Sequence, residues 1–203
     1  MIPKLKDIIE ASGIHPSRVF NVTIFGSRIY GTFNINSDWD IIMVANNSVD
    51  SIEVKTELYN IHIYTPDKFK EDLDWHKINN LECVYAPKWA ILKEEIIFDF
   101  IYDYKKMRHS ISHLSSNSWV KSRKKIEFGE YYIGLKSIFH AIRIPMFGKQ
   151  IAENGCIFDF SCANNIWDEL CNNNWSWDEL NLKYKSIHNM RLSEFRKANN
   201  LYK

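Results

Sequence analysis

Long apolar runs are missing from this chain, which excludes a whole class of roles. No stretch approaches the about 20 consecutive apolar residues that a bilayer-crossing helix needs, and Met1-Ile-Pro-Lys-Leu-Lys6 does not lead into a signal-peptide core. No membrane partner and a cytoplasmic location are therefore expected. Cysteine is also scarce: Cys83, Cys156, Cys162 and Cys171 form no close pair of zinc-site spacing and no dense disulfide framework. They read as reduced thiols in or near a core. Internal repeats and low-complexity linkers are absent as well, so any division of the chain must be into parts that pack directly.

Net charge is nearly absent, at +1, but the balance conceals an asymmetry. Residues 1–104 hold 10 Lys+Arg against 16 Asp+Glu, a balance of −6, whereas residues 105–203 hold 16 against 9, a balance of +7. An acidic half suited to metal beside a basic half suited to triphosphate or polynucleotide is one reading; Lys-rich surface helices that aid solubility are the other. The remaining composition, 45% hydrophobic and 25% charged over 203 residues, is that of an ordinary globular protein with room for one good core and a smaller helical part.

What is present in abundance is chemistry within one segment, Phe25-Gly-Ser-Arg-Ile-Tyr-Gly-Thr-Phe-Asn-Ile-Asn-Ser-Asp-Trp-Asp40. Arg18 to Phe25 reads as a strand ending at Gly26, where the chain can turn tightly and let a ligand approach the backbone. Ser27 adds a hydroxyl and a backbone N–H, and a short helix from Ser27 to Tyr30 would turn free N–H groups toward an anion. Downstream, Asp40-Ile-Ile-Met-Val44 reads as a buried strand. Its period of two puts Asp38 and Asp40 on one side, where two carboxylates repel unless a cation sits between them. Mg²⁺ suits such a pair, with Mn²⁺ a second candidate, because it takes one or two carboxylates and leaves positions for water and phosphate.

The hydrophobic residue, Gly-Ser, ten-residue spacer, Asp-x-Asp and apolar strand resemble the signature of the DNA polymerase β-like nucleotidyltransferase superfamily. A closer resemblance is to predicted nucleotidyltransferases associated with RNA repair. It rests on Gly26, Ser27 and Gly31, on Leu81-Glu82-Cys83-Val84-Tyr85-Ala86-Pro87, and on Lys136, His140 and Arg143. Together these span roughly residues 18 to 155. The resemblance implies an α/β (α+β) fold with a small mixed sheet, a catalytic domain over residues 1–104, and a helical domain over residues 105–203 completing the nucleotide and acceptor cleft. It also implies transfer of a nucleoside monophosphate from an NTP such as ATP to an acceptor, an RNA end foremost, with release of pyrophosphate. The expected catalytic and metal residues are Asp38 and Asp40; the expected nucleotide contacts are Gly26, Ser27, Arg28, Ser37, Lys136, His140 and Arg143.

One departure from the superfamily pattern bears on activity. Catalysing members present a third carboxylate from the next strand, read here as part of a strand from Val54 to Tyr64, and the position holds Asn60. Asn offers an amide oxygen to a cation but no charge and no basic site. His62, two residues on and on the same face, is a candidate general base; Glu57 and Glu82 are further candidates for the missing acid. A catalytically retired nucleotide- or RNA-binding module therefore stands as an alternative, as does a protein-AMPylating transferase of antitoxin type.

The rest of the chain reads coarsely. Helices are expected over residues 3–12 and 66–75, a strand over 89–92, and helices from about Asp99 onward, the longest over 119–144 and another over 177–199. Seven cations fall between Lys105 and Lys125, namely Lys105, Lys106, Arg108, Lys121, Arg123, Lys124 and Lys125. Phosphate contacts and a solvated helix end explain them about equally. The aromatic-rich C-terminal part reads as a cap whose tryptophans fill a core.

Overall fold

The computed structural model describes residues 2–202, and the chain divides into two compact units, residues 1–101 and 102–203. The first unit is a five-stranded mixed sheet with four helices. In chain order it runs α1 (Leu5–Ser12), β1 (Val19–Phe25), α2 (Ser27–Tyr30), β2 (Trp39–Ala45), β3 (Ser51–Lys55), β4 (Tyr59–Tyr64), α3 (Pro66–Asp74), α4 (Ile78–Val84) and β5 (Ile91–Glu94).

The sheet order is β3-β4-β2-β1-β5. β2 pairs parallel with β4, and every other neighbouring pair is antiparallel. β2 is central, which is why its sequence is continuously apolar after Asp40: both faces are covered. Ile41 and Met43 join Val22, Ile24, Ile61 and Ile63 in a core with Ile8 and Ile9 of α1. Ile42 and Val44 take the opposite face, beside Phe69 of α3 and Cys83 and Val84 of α4. β3 alternates exposed and half-buried residues, as an edge strand does.

The second unit is helical: α5 (Tyr104–Glu127), α6 (Tyr131–Asn154), α7 (Asn164–Cys171) and α8 (Trp177–Asn199). Asp103 caps α5 through the N–H groups of Lys105 and Lys106, and Ser176 with Glu179 forms a capping box on α8. α6 is the hub, with Ile138, Phe139, Ile142 and Phe147 buried against its neighbours. A buried polar contact ties three of these helices. Ser115 of α5 donates its hydroxyl to the Ala141 carbonyl of α6 at 2.6 Å, and His188 Nε2 of α8 lies 2.9 Å from the same hydroxyl oxygen. The serine proton being spent on Ala141, His188 must donate from Nε2.

Three expected elements take a different form. The strand expected from Val54 to Tyr64 is two antiparallel strands, because Thr56 Oγ1 accepts from the N–H groups of Leu58 and Tyr59 and turns the chain between them. The strand expected at 89–92 begins later, after a 3₁₀ turn over Lys88–Ala90. The long helix expected over 119–144 is broken at Gly129, whose φ of +80° is left-handed, and the second half runs on through Pro145 to Asn154. A proline inside a helix costs about 3 kcal/mol, and the burial of α6 on nearly all sides offsets it.

Candidate active site

The sequence motif folds into one corner of the first unit. β1 delivers the chain to Gly26, whose φ of 76° and ψ of −151° lie outside the range open to other residues. A Cβ at this position would stand 2.4 Å from Asp40 Oδ2 and 3.0 Å from its Cγ. Gly26 is thus required twice, for its backbone angles and because the Asp40 carboxylate presses against it. Its carbonyl accepts from Ile29 and Tyr30, which opens α2 directly at Ser27.

Register fixes the partners of Asp40. It faces Phe25 across β1 and Asn60 across β4. Asn60 Nδ2 lies 3.3 Å from Asp40 Oδ1 and 3.3 Å from His62 Nε2. Both distances are long for hydrogen bonds, so the amide is shared rather than committed. Beyond His62 stands Glu53 of β3, 3.9 Å from Nε2. The Glu53 carboxyl is held below its ordinary value chiefly by Lys55, 3.2 Å away, with His62 adding to the effect. Asp40, Asn60, His62 and Glu53 therefore form a polar row across three strands. Asp38 lies one residue ahead of β2 and is exposed.

The loop between the two halves of the motif is built around Arg28. Its guanidinium carbon lies 4.4 Å from the Phe33 ring centre and 4.3 Å from that of Trp39, and its Nη2 donates to the Ser37 carbonyl at 2.5 Å. Asn34 and Ser37 close the loop tip: the Asn34 N–H donates to Ser37 Oγ at 2.9 Å, and the Ser37 N–H to the Asn34 carbonyl at 3.1 Å. Arg28 and Ser37, expected as nucleotide contacts, thus shape the approach to Asp38. The roles of Phe33, Asn34 and Trp39 were not expected from sequence, since no periodicity links them to Arg28.

Of the substitutes for a third acid, Glu57 sits exposed in the turn before β4. Glu82 is fully buried on α4 and accepts from the hydroxyl of Tyr30 on α2. It anchors the helix that follows Gly26-Ser27. Among the described residues no group of three His, Cys, Asp or Glu side chains is placed to hold a metal ion. Asn60 Oδ1, however, is buried and has no hydrogen-bond partner. A half-turn of the amide would bring this oxygen where Nδ2 now meets Asp40. Asp40 and, after that turn, Asn60 would offer adjacent oxygen donors of the kind a hard divalent cation takes.

Lys136, His140 and Arg143 belong to the second unit, on α6. Arg143 is only 2% exposed; its guanidinium carbon lies 5.2 Å and 5.0 Å from the ring centres of Phe139 and Phe147. Its Nη2 donates to His140 Nδ1 at 3.0 Å, which makes that imidazole an acceptor. Burial, reinforced by Arg143, Lys136 and Lys121, holds His140 well below the ordinary histidine value, hence neutral. The stripe expected from the spacing is present, with Arg143 turned into aromatic surroundings.

The sequence profile of the nucleotidyltransferase domain family matches residues 2–126, more than half of the chain and all of the corner just described. The chain belongs to this family. It is a member of the polymerase β-like nucleotidyltransferases, a family that moves nucleoside monophosphates and uses divalent metal ions. Two solved structures are similar in outline. A nucleotidyltransferase-like protein from Exiguobacterium sibiricum is 11% identical, with 96% of this chain and 73% of that chain covered and a TM-score of 0.34. A spectinomycin adenyltransferase from Enterococcus faecialis, solved with ATP and spectinomycin, is 12% identical, with 96% and 100% covered and a TM-score of 0.48. No curated protein matches the chain. Among the described residues no helix is long and apolar enough to cross a membrane.

Proposed function

We propose that this nucleotidyltransferase works with Mg²⁺, with Mn²⁺ as a substitute, and transfers the nucleoside monophosphate of an NTP such as ATP to an RNA end with loss of pyrophosphate. The observation that carries the reading is the contact of Gly26 with Asp40, with Asn60 in register on the far side. Ser27, half-buried at the start of α2, would offer its hydroxyl to a phosphate at the point where Asp38 and Asp40 would hold a cation. When bound, the metal supplies charge neutralisation of the phosphates and of the leaving pyrophosphate. The chain itself orients the triphosphate along Gly26-Ser27 and keeps the Asp38 loop in place through Arg28. Asn60, beside Asp40, and His62, beside Asn60, are the groups at hand for the third-ligand and base roles. The RNA acceptor is supported by the resemblance carried by Gly31, Glu82 and Lys136.

The test is incubation with labelled NTPs, Mg²⁺ or Mn²⁺, and tRNA. Label should appear on the RNA and disappear with Asp38→Asn or Asp40→Asn; undiminished transfer in both variants would overturn the metal assignment. A second reading, a binding module that has lost transfer, is favoured by Asn60 alone. It predicts tight NTP binding with no labelled product under any metal.

A further inference from the structure

The seven cations between Lys105 and Lys125 separate into two groups in the structure. Near the end of α5, Arg123 pairs with Glu127 at 2.7 Å and Lys125 with Glu130 at 2.6 Å. Two of those near its start face a groove instead. Lys105 and Arg108 line an open groove of about 590 Å³ with Arg196 of α8, and no carboxylate is among the groove residues. Arg108 donates to the Asn200 side-chain oxygen at 3.2 Å, and Arg196 Nε lies 3.4 Å from Ser112 Oγ. Both partners are neutral, so they orient the guanidinium groups and leave their charge uncompensated.

Between the cations lie flat rings. His109 and His113, both exposed, stack with centres 5.6 Å apart and planes 20° from parallel, and Tyr104 closes one end. Asn117 Nδ2 donates to His113 Nε2 at 2.8 Å and fixes that ring. The lining positions 105, 108, 109, 112, 113 and 116 recur at three and four residues, one continuous stripe of α5. From residue 104 to 117 the stripe is roughly 20 Å long. Point cations spaced along a strip with ring platforms beside them fit a chain of phosphodiesters carrying bases, more than one compact triphosphate or an acidic peptide, which has no use for the rings.

We propose that this groove of the helical unit binds single-stranded RNA, its phosphates against Lys105, Arg108 and Arg196 and its bases against the His109–His113 stack. The inference goes further than the acceptor reading by assigning RNA binding to a surface of the helical unit, and it concerns binding, which needs no turnover.

The experiment uses the full chain carrying Asp40→Asn, without NTP, and a fluorescent 12-nucleotide single-stranded RNA followed by anisotropy. Binding is expected to weaken with salt at a log–log slope of about −2, the value for three phosphate contacts on a single strand. Lys105→Glu and Arg108→Glu should each weaken it at least tenfold. His109→Ala with His113→Ala should weaken it about fivefold or more through lost stacking. Arg123→Ala, whose cation is already paired, should leave it within twofold. Equal losses in Arg123→Ala and Arg108→Glu, or displacement of the RNA by equimolar ATP or poly-glutamate, would overturn the assignment. Because transfer is switched off throughout, failure of the catalytic reading leaves the result intact.

Discussion

The two units hold their polar groups by contacts of different length. In the sheet unit, Asp40, Asn60, His62 and the exposed Glu53 form a row whose contacts are long and whose Asn60 oxygen has no partner. In the helical unit, Ser115 and His188 are fully packed, at 0% and 2% exposure, and joined by short hydrogen bonds. A shared row of long contacts can accept a ligand without first breaking strong bonds; a knot of short bonds holds helices together, here with His188 Nδ1 left without a partner. The contrast separates a site kept available for chemistry from one closed for stability.

The sharpest way to break the comparison is Gly26→Ala. With a Cβ 2.4 Å from Asp40 Oδ2 and a left-handed backbone, the variant should lose transfer by at least about a hundredfold. It should also lose about 1–3 kcal/mol of stability, read by thermal melting beside the transfer assay.

The helical unit should respond to acid instead. Burial, with repulsion from Lys185 and Arg196, lowers His188 from 6.5 to about 4. The unfolded chain therefore binds this proton more tightly than the folded one between those values. Stability is highest above pH 6.5, falls as pH drops, and reaches its full deficit, of order 3 kcal/mol, below about pH 4. Urea unfolding at pH 7 and pH 5 should differ by about 2 kcal/mol from this group, and His188→Gln should flatten that dependence.

Asn60→Asp sharpens the comparison from the other side. A carboxylate placed against Asp40 should destabilise the metal-free chain by about 1 kcal/mol, and Mg²⁺ should restore the loss. Transfer should rise about tenfold, the equivalent of about 1.4 kcal/mol, if a third acid is what the row lacks. The smallest effect is expected from Arg28→Lys, which gives up the planar stack on Phe33 and Trp39. Stability should fall by about 0.5–1 kcal/mol, with KM for the NTP rising more than kcat changes.

Legibility in the sequence followed locality. The apolar run Asp40–Val44 marked β2 to within a residue at each end, and the last helix was expected over the residues it occupies, Trp177–Asn199. The Gly26 to Asp40 motif was readable because its parts lie within one turn and one strand. The β3–β4 turn was not, since a threonine hydroxyl does the work usually advertised by glycine or proline. The break at Gly129 was missed because helical periodicity persists on both sides. The clamp on Arg28 and the pairing of Tyr30 with Glu82 depend on side chains 5 to 52 positions apart, which no local pattern encodes.

Pro145 makes the helical unit harder to misassemble. Lacking an N–H, it leaves the Ala141 carbonyl four residues earlier without its intrahelical donor. Ser115 fills that vacancy and His188 in turn satisfies Ser115. Sliding either neighbouring helix by a single turn would leave a bare carbonyl or a bare imidazole N–H in an apolar interior. The proline thus acts as a notch that accepts one key, and three helices are admitted in a single alignment.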